Sequence, residues 1–138
     1  MKTMKFLTHP YTLIASFFFI LISGQHLGGF YLLYLLLGLP HGGVHSIAAL
    51  IGVTLLLSSY SSNEERGQLT KSLLNTFGVL LFLLSLFLFF YNDTENYNYG
   101  TFVQLVPQIT IAIFAGLCLL FFYVNISVFF KRKSQTTS

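Results

Sequence analysis

Three of the four histidines are candidate ligands for a metal or haem, and two of them have a spacing that suits chelation. His41 and His45 lie four residues apart, a spacing that places two side chains on one face of a helix. Two imidazoles so arranged can chelate one transition-metal ion, with a third ligand from His26 or a second chain. Because no histidine follows His45, a haem would take both ligands from this first segment or from another subunit. A haem- or metal-binding redox component is one hypothesis, and interfacial or helix-packing roles for these side chains are the simpler one.

Gln104 and Gln108 form a second polar pair with the same four-residue spacing. They open the last apolar stretch, in the same half of the membrane as the histidines, and Thr110 follows them. We therefore predict a polar cluster between the first apolar hairpin and the last helix. In an oligomer, this cluster would line the mouth of a small channel or carrier, a further alternative function. Proton-coupled transport is disfavoured, because no Asp, Glu, Lys or Arg lies inside an apolar stretch.

The elements that must position these side chains are apolar helices. Of the 138 residues, 54% are hydrophobic and 8% are charged, whereas about 25% of a soluble domain is charged. Four spans of about 20 residues would use most of the chain and leave too little for a separate soluble domain. The sequence predicts an all-α integral membrane protein with one four-helix domain over residues 1–138. Its spans are expected at about 10–37, 40–59, 72–91 and 102–130.

All seven Lys and Arg residues fall on one side of this pattern. They precede the first span, lie between the second and third, or follow the fourth: Lys2, Lys5, Arg66, Lys71, Lys131, Arg132 and Lys133. Cationic loops stay in the cytoplasm during insertion, so both termini are predicted to be cytoplasmic, in what we expect to be a bacterial inner membrane. The net charge of +3 does not indicate nucleic-acid binding, since the few cations lie at helix ends.

The first outer turn has two possible positions. Gly38-Leu39-Pro40 is favoured, because glycine often ends a helix and proline often starts one. In the alternative, the turn lies at 25–29 and a second helix runs from 30 to 59 with a kink at its proline. A third interpretation is a signal peptide cleaved after Gly24. It would place Ile22 where a small residue is expected, so it is disfavoured.

Small residues four apart mark three faces where helices can pack closely. The pairs are Gly24 and Gly28, Ala48 and Gly52, and Ala112 and Gly116. In addition, Asn75 and Asn125 fall at similar depth on the third and fourth spans, where they could hydrogen-bond to each other. Besides the lipid bilayer, we expect partners to be other membrane subunits or a second copy. Without a complete ligand set or a soluble domain, the chain is expected to be a small, non-catalytic accessory or scaffold subunit of a membrane complex.

Overall fold

The structure, a computed structural model, describes residues 6–25, 28–61 and 67–136. Its elements are α1 (Pro10–Phe18), β1 (Leu21–Ser23), β2 (Gly28–Phe30), α2 (Tyr31–Gly38), α3 (Val44–Ser61), α4 (Gln68–Tyr91), α5 (Gly100–Val103) and α6 (Leu105–Thr136). A 3-10 turn, Leu39–His41, separates α2 from α3. The predicted helical fold is confirmed, with the correction that it also contains one short antiparallel strand pair.

Three helices are long and apolar enough to cross a membrane: Val44–Ser61, Leu69–Tyr91 and Leu105–Ser127. They correspond to the predicted spans at 40–59, 72–91 and 102–130. A further apolar segment, Tyr31–His41, is shorter. At about 1.5 Å per residue, it covers only about half of the roughly 30 Å hydrocarbon core. The three long helices are consistent with an integral membrane protein, but the predicted fourth crossing helix is not confirmed.

The helix predicted over residues 10–37 is wrong, because this segment is broken by a β-hairpin. α1 ends at Phe18, the chain extends through β1, and it returns through β2 before α2 begins at Tyr31. Glycines near the turn lower helix stability, and the β-branched Ile20 and Ile22 favour an extended backbone. Both positions considered for the first turn therefore interrupt the helical structure. The position at 25–29 lies in the region of the hairpin, and the position at Gly38-Leu39-Pro40 precedes α3.

Threonine side chains from the last third of the chain satisfy the backbone of the hairpin. The strands are antiparallel, with Leu21 opposite Phe30. On the other edge of β1, Leu21 N–H donates to Thr110 Oγ1 at 3.0 Å, and Ser23 N–H donates to Thr101 Oγ1 at 2.9 Å. This two-residue alternation is the period of a strand. Backbone N–H groups on the free edge of a strand need hydrogen-bond partners, and these hydroxyls provide them.

The turn between α2 and α3 contains two glycines that suit its backbone. Gly42 has a φ angle of +68°, in the left-handed region that side chains disfavour. Gly43 N–H donates to Gly38 O at 2.8 Å and closes the turn. A Cβ atom on Gly43 would lie 3.0 Å from Gly38 O, so a side chain there would require the backbone of the turn to shift.

The most extensive contact between long helices is that of α3 with α4. A Cβ atom on Gly52 would lie 3.0 Å from Gly78 O and 2.9 Å from Phe82 Cδ1. A Cβ atom on Gly78 would lie 2.7 Å from Leu56 Cγ. Neither position can accept a side chain unless the helices separate, so the two glycines set the distance between the backbones.

An aromatic core joins the broken first segment to the long helices. Phe17 of α1 stacks on Phe82 of α4 with ring centroids 4.1 Å apart. The Phe17 ring also meets Tyr31 of α2 and Phe114 of α6, at 5.2 and 5.5 Å. All four side chains are buried. Aromatic pairs at these separations add to the stabilisation from area burial, so this cluster holds α1 and α2 in place.

Candidate functional site

The structure places His41 and His45 in different elements. His41 ends the 3-10 turn and is exposed, with its Nδ1 atom 2.8 Å from Leu37 O. His45 lies in the first turn of α3, beyond the left-handed Gly42. Because no continuous helix contains both histidines, the shared helix face expected from their spacing does not form.

His45 faces the protein interior. Its ring meets those of Phe89 and Tyr31 at 5.4 and 6.5 Å, and its Nε2 atom is buried without a hydrogen-bond partner. Ser85 Oγ donates to the backbone carbonyl of His45 at 2.7 Å. Since that bond uses the only hydroxyl hydrogen of Ser85, Tyr31 OH is the donor in the 2.8 Å bond between Tyr31 and Ser85. The region around His45 therefore links α2, α3 and α4.

Metal or haem ligation by the histidines stays a prediction. His26 lies outside the described residues. Within residues 6–25, 28–61 and 67–136, no three or more His, Cys, Asp and Glu side chains come together to hold a metal ion. His41 and His45 differ in environment, since His41 is exposed and the His45 Nε2 atom is buried. A site built on them would need a ligand from His26 or from another chain.

Gln104 and Gln108 lie where α5 meets α6, and both are exposed. Gln104 has an extended backbone between the two helices, and its carbonyl accepts from Gln108 N–H at 3.3 Å. The side-chain amide of Gln108 donates to Phe102 O. Among the residues that the structure describes, no hydrogen bond or ring contact joins this pair to His41 or His45. The glutamines and the histidines are therefore separate polar sites in this structure.

The loop between α4 and α5 orders the end of the fold that carries the hairpin. The Asp93 carboxylate accepts from Tyr97 N–H at 3.0 Å and from Asn98 N–H at 2.7 Å. Tyr97 O accepts from Gln25 N–H at 2.8 Å. The Tyr97 hydroxyl donates to Glu95, and this hydrogen bond raises the pKa of the Tyr97 phenol. Both acidic side chains therefore accept hydrogen bonds from residues of their own loop.

The predicted contact between Asn75 and Asn125 is confirmed. Asn75 Nδ2 donates to Asn125 Oδ1 at 3.4 Å, and Asn125 Nδ2 donates to Ser72 O at 3.1 Å and to Thr76 Oγ1 at 3.3 Å. Asn125 is buried. Amide hydrogen bonds between apolar helices stabilise their association, so this group fastens α6 to α4.

The three predicted small-residue faces have different environments. Gly24 and Gly28 lie in the hairpin region, so they form no helix face. Ala48 and Gly52 are buried in α3, next to α4. The third pair, Ala112 and Gly116, is exposed on α6. A Cβ atom on Gly116 would meet no heavy atom within 4 Å.

The exposed small residues of α6 belong to a longer stripe. The α6 stripe consists of side chains spaced three or four residues apart, all of them exposed: Gln108, Ala112, Gly116, Leu119 and Tyr123. Leu119 is 71% exposed and Tyr123 is 69% exposed. Residues at this spacing share one helix face. The opposite face of α6 carries the buried Phe114, so the stripe points away from the rest of the chain.

The cap of α1 and the aromatic contacts of its side chain were not predicted from the sequence. His9 caps α1, because Pro10 takes the first helical position and Tyr11 N–H donates to His9 Nδ1 at 3.3 Å. The His9 ring lies 5.2 Å from that of Tyr11 and 4.8 Å from that of Tyr60. No sequence signal pairs these rings, since Tyr60 comes from the far end of α3.

Comparisons with known protein families, curated proteins and solved structures found no significant match. The conclusions that follow therefore rest on the sequence and the geometry of this chain. What these define is a helical protein with three membrane-length apolar helices and a broken apolar segment before them.

Proposed function

We propose that this protein is a small, non-catalytic accessory or scaffold subunit of a larger membrane complex. The observation that carries this proposal is the α6 stripe, in which Ala112 and Gly116 face outward with open space beside Gly116. Lipid chains pack equally well against large and small side chains, so small residues bring no advantage on a face that contacts only lipid. A neighbouring helix gains close backbone contact.

The packing of α3 on α4 supports this interpretation from within the same chain. There, Gly52 and Gly78 are opposed so closely that neither position can accept a Cβ atom. Van der Waals packing at small residues is a main source of helix association in lipid, where no hydrophobic effect draws helices together. The α6 stripe offers a similar surface to a helix of another subunit or of a second copy. Gln108 at its start adds a polar group that can hydrogen-bond across such a contact.

The orientation follows from the cations. Lys and Arg precede the first apolar segment, lie near the connection of α3 with α4, and follow the apolar part of α6. We propose a cytoplasmic location for both ends of the chain, in a bacterial inner membrane, which requires the broken first segment to cross the bilayer as a fourth span. The hairpin and the loop between α4 and α5 then lie on the opposite side. The α6 stripe then spans the bilayer, and its partners are integral membrane proteins.

Purification of the tagged full-length chain in mild detergent tests the proposal. We expect larger membrane proteins to co-purify in fixed stoichiometry. A clean monomer would contradict the proposal. An absorption spectrum and metal analysis of the same sample test the redox alternative, because a Soret band or bound metal would show that the protein carries a cofactor.

A further inference from the structure

An apolar groove lies between α1 and α2. Its volume is about 420 Å³, and it is partly open to the outside. The α1–α2 groove is lined almost wholly by aliphatic and aromatic carbon, and its walls include Tyr11, Ile14, Ala15, Phe18, Phe30 and Leu33. Empty space beside such a wall loses dispersion contacts, so in a bilayer the groove favours an apolar and flexible occupant. The acyl chain of a lipid has both properties.

A cluster of three rings lies where the groove meets the start of α1, and Tyr11 belongs to both. The Tyr11 ring lies 5.2 Å from that of His9 and 5.4 Å from that of Tyr60, and the last two are 4.8 Å apart. Tyr11 and Tyr60 are each 54% exposed, so their hydroxyls are accessible donors. His9 Nδ1 accepts from Tyr11 N–H, so Nε2 carries the hydrogen of the neutral imidazole and is a third donor.

The ring cluster lies at the positively charged end of the fold. Tyr60 is in the last turn of α3, where the neighbouring Ser59 Oγ donates to Lys71 O at 3.3 Å, at the start of α4. In the sequence, all seven Lys and Arg fall on this side of the apolar pattern with two of the four carboxylates, a net charge of +5. The other two carboxylates give −2 on the opposite side. Cations at a membrane surface attract anionic lipid head groups.

From these observations we infer that the α1–α2 groove and the ring cluster form a binding site for one anionic phospholipid. An acyl chain of the lipid lies in the groove, and its phosphate accepts hydrogen bonds from the ring cluster. Lys71 and the cations near it in sequence favour a lipid of net negative charge over a zwitterionic one. The inference requires only that the chain is embedded in a membrane, and it is independent of the α6 stripe.

Native mass spectrometry of the purified full-length chain in a neutral detergent tests the site, with dioleoyl phosphatidylglycerol and dioleoyl phosphatidylcholine as probes. The two lipids have the same acyl chains and both contain a phosphate, but only the first has a net negative charge. We expect one phosphatidylglycerol to bind saturably and at least about fivefold more tightly than phosphatidylcholine, the effect of one nearby cation. Equal affinities would overturn the assignment of an anionic ligand.

Ala15→Phe tests whether the groove holds the acyl chain. Ala15 is an exposed residue of α1, so the larger side chain fills the groove without entering the core. We expect an intact fold and loss of saturable binding of both lipids. Ala112→Phe, at an exposed position of α6, is the matched control and should bind lipid as wild type does. Undiminished binding by Ala15→Phe would show only general contact of lipid with the surface and would overturn the inference.

Tyr60→Phe tests the contact with the head group. This variant keeps the ring that packs on His9 and Tyr11 but removes one donor, so we expect about fivefold weaker binding of phosphatidylglycerol. Tyr91→Phe is the control, because Tyr91 is also exposed but ends α4 on the opposite side of the fold. Equal affinities of these two variants would show that the ring cluster does not bind the phosphate, and would overturn the proposed site.

Discussion

The same small-residue pattern occurs on α3 and on α6, in opposite environments. Ala48 and Gly52 are buried next to α4, where Gly78 opposes Gly52. Ala112 and Gly116 are exposed, with nothing beside Gly116. Small residues four apart therefore indicate that another helix can pack closely against this face. Whether a helix does so depends on the residue that lies opposite. On α3 that residue is a glycine of the same chain, and for α6 we propose that another polypeptide provides it.

The largest expected difference between the two faces is in tolerance to a large side chain. Gly52→Leu inserts a side chain where even a Cβ atom would lie 2.9 Å from Phe82 Cδ1. Overpacking of this kind should lower the free energy of unfolding by about 3 kcal/mol. Reversible unfolding in mixed micelles with increasing SDS measures it. A loss below about 1 kcal/mol would mean that α3 and α4 are not in close contact at Gly52.

A second expected effect concerns the attachment of α6 to α4, in which the exposed small residues of α6 take no part. Asn125→Leu removes the amide that bonds Asn75, Ser72 and Thr76 of α4. Interhelical hydrogen bonds in membranes contribute about 0.6–2 kcal/mol, so we expect a loss of about 1–2 kcal/mol in the same assay. Ile126→Leu, at the exposed neighbouring position, is the control and should change little. Equal stabilities of the two variants would contradict a polar attachment of α6.

A third and smaller effect tests the link between α6 and the hairpin. Thr110→Val keeps the shape of the side chain but removes the acceptor of Leu21 N–H, so a loss of about 1 kcal/mol is expected. Thr54→Val is the matched control, because Thr54 is exposed and its hydroxyl bonds only Leu50 O within its own helix. If Thr54→Val is as destabilising as Thr110→Val, the hairpin is not anchored on α6.

The smallest expected effect on stability is that of Gly116→Leu, the counterpart of Gly52→Leu. Its side chain enters open space, so the free energy of unfolding should change by no more than about 0.5 kcal/mol. The measurement is the same SDS titration. A loss similar to that of Gly52→Leu would show that α6 packs on its own chain through this face, and it would remove the distinction between the two surfaces.

Features set by composition and spacing were predictable from the sequence. The three long helices follow from uninterrupted apolar runs, and the bond between Asn75 and Asn125 follows from their equal depth on neighbouring spans. Both depend on local sequence and on the fixed rise of a helix. For the same reason, the small-residue faces of α3 and α6 could be identified from the sequence. The sequence could not show which helix packs against either face.

The broken first segment and the separation of the histidines were not predictable in this way. Residues 10–37 are apolar enough for a helix, and the strand pair forms because Thr101 and Thr110, distant in sequence, satisfy its backbone. Local patterns contain no information about such tertiary partners. The spacing of His41 and His45 indicates a shared face only if the helix is continuous, and the positive φ of Gly42 interrupts it.

Recovery of partner proteins with wild type, Gly116→Leu and Ile113→Leu is the most direct test of the proposed function. Ile113 is also exposed on α6, and its exchange for leucine adds no bulk, so this variant is the control for the helix. We predict that membrane partners co-purify with wild type and Ile113→Leu, and that Gly116→Leu, although folded, recovers them at least tenfold less. Undiminished recovery with Gly116→Leu, or no partner with wild type, would contradict the account.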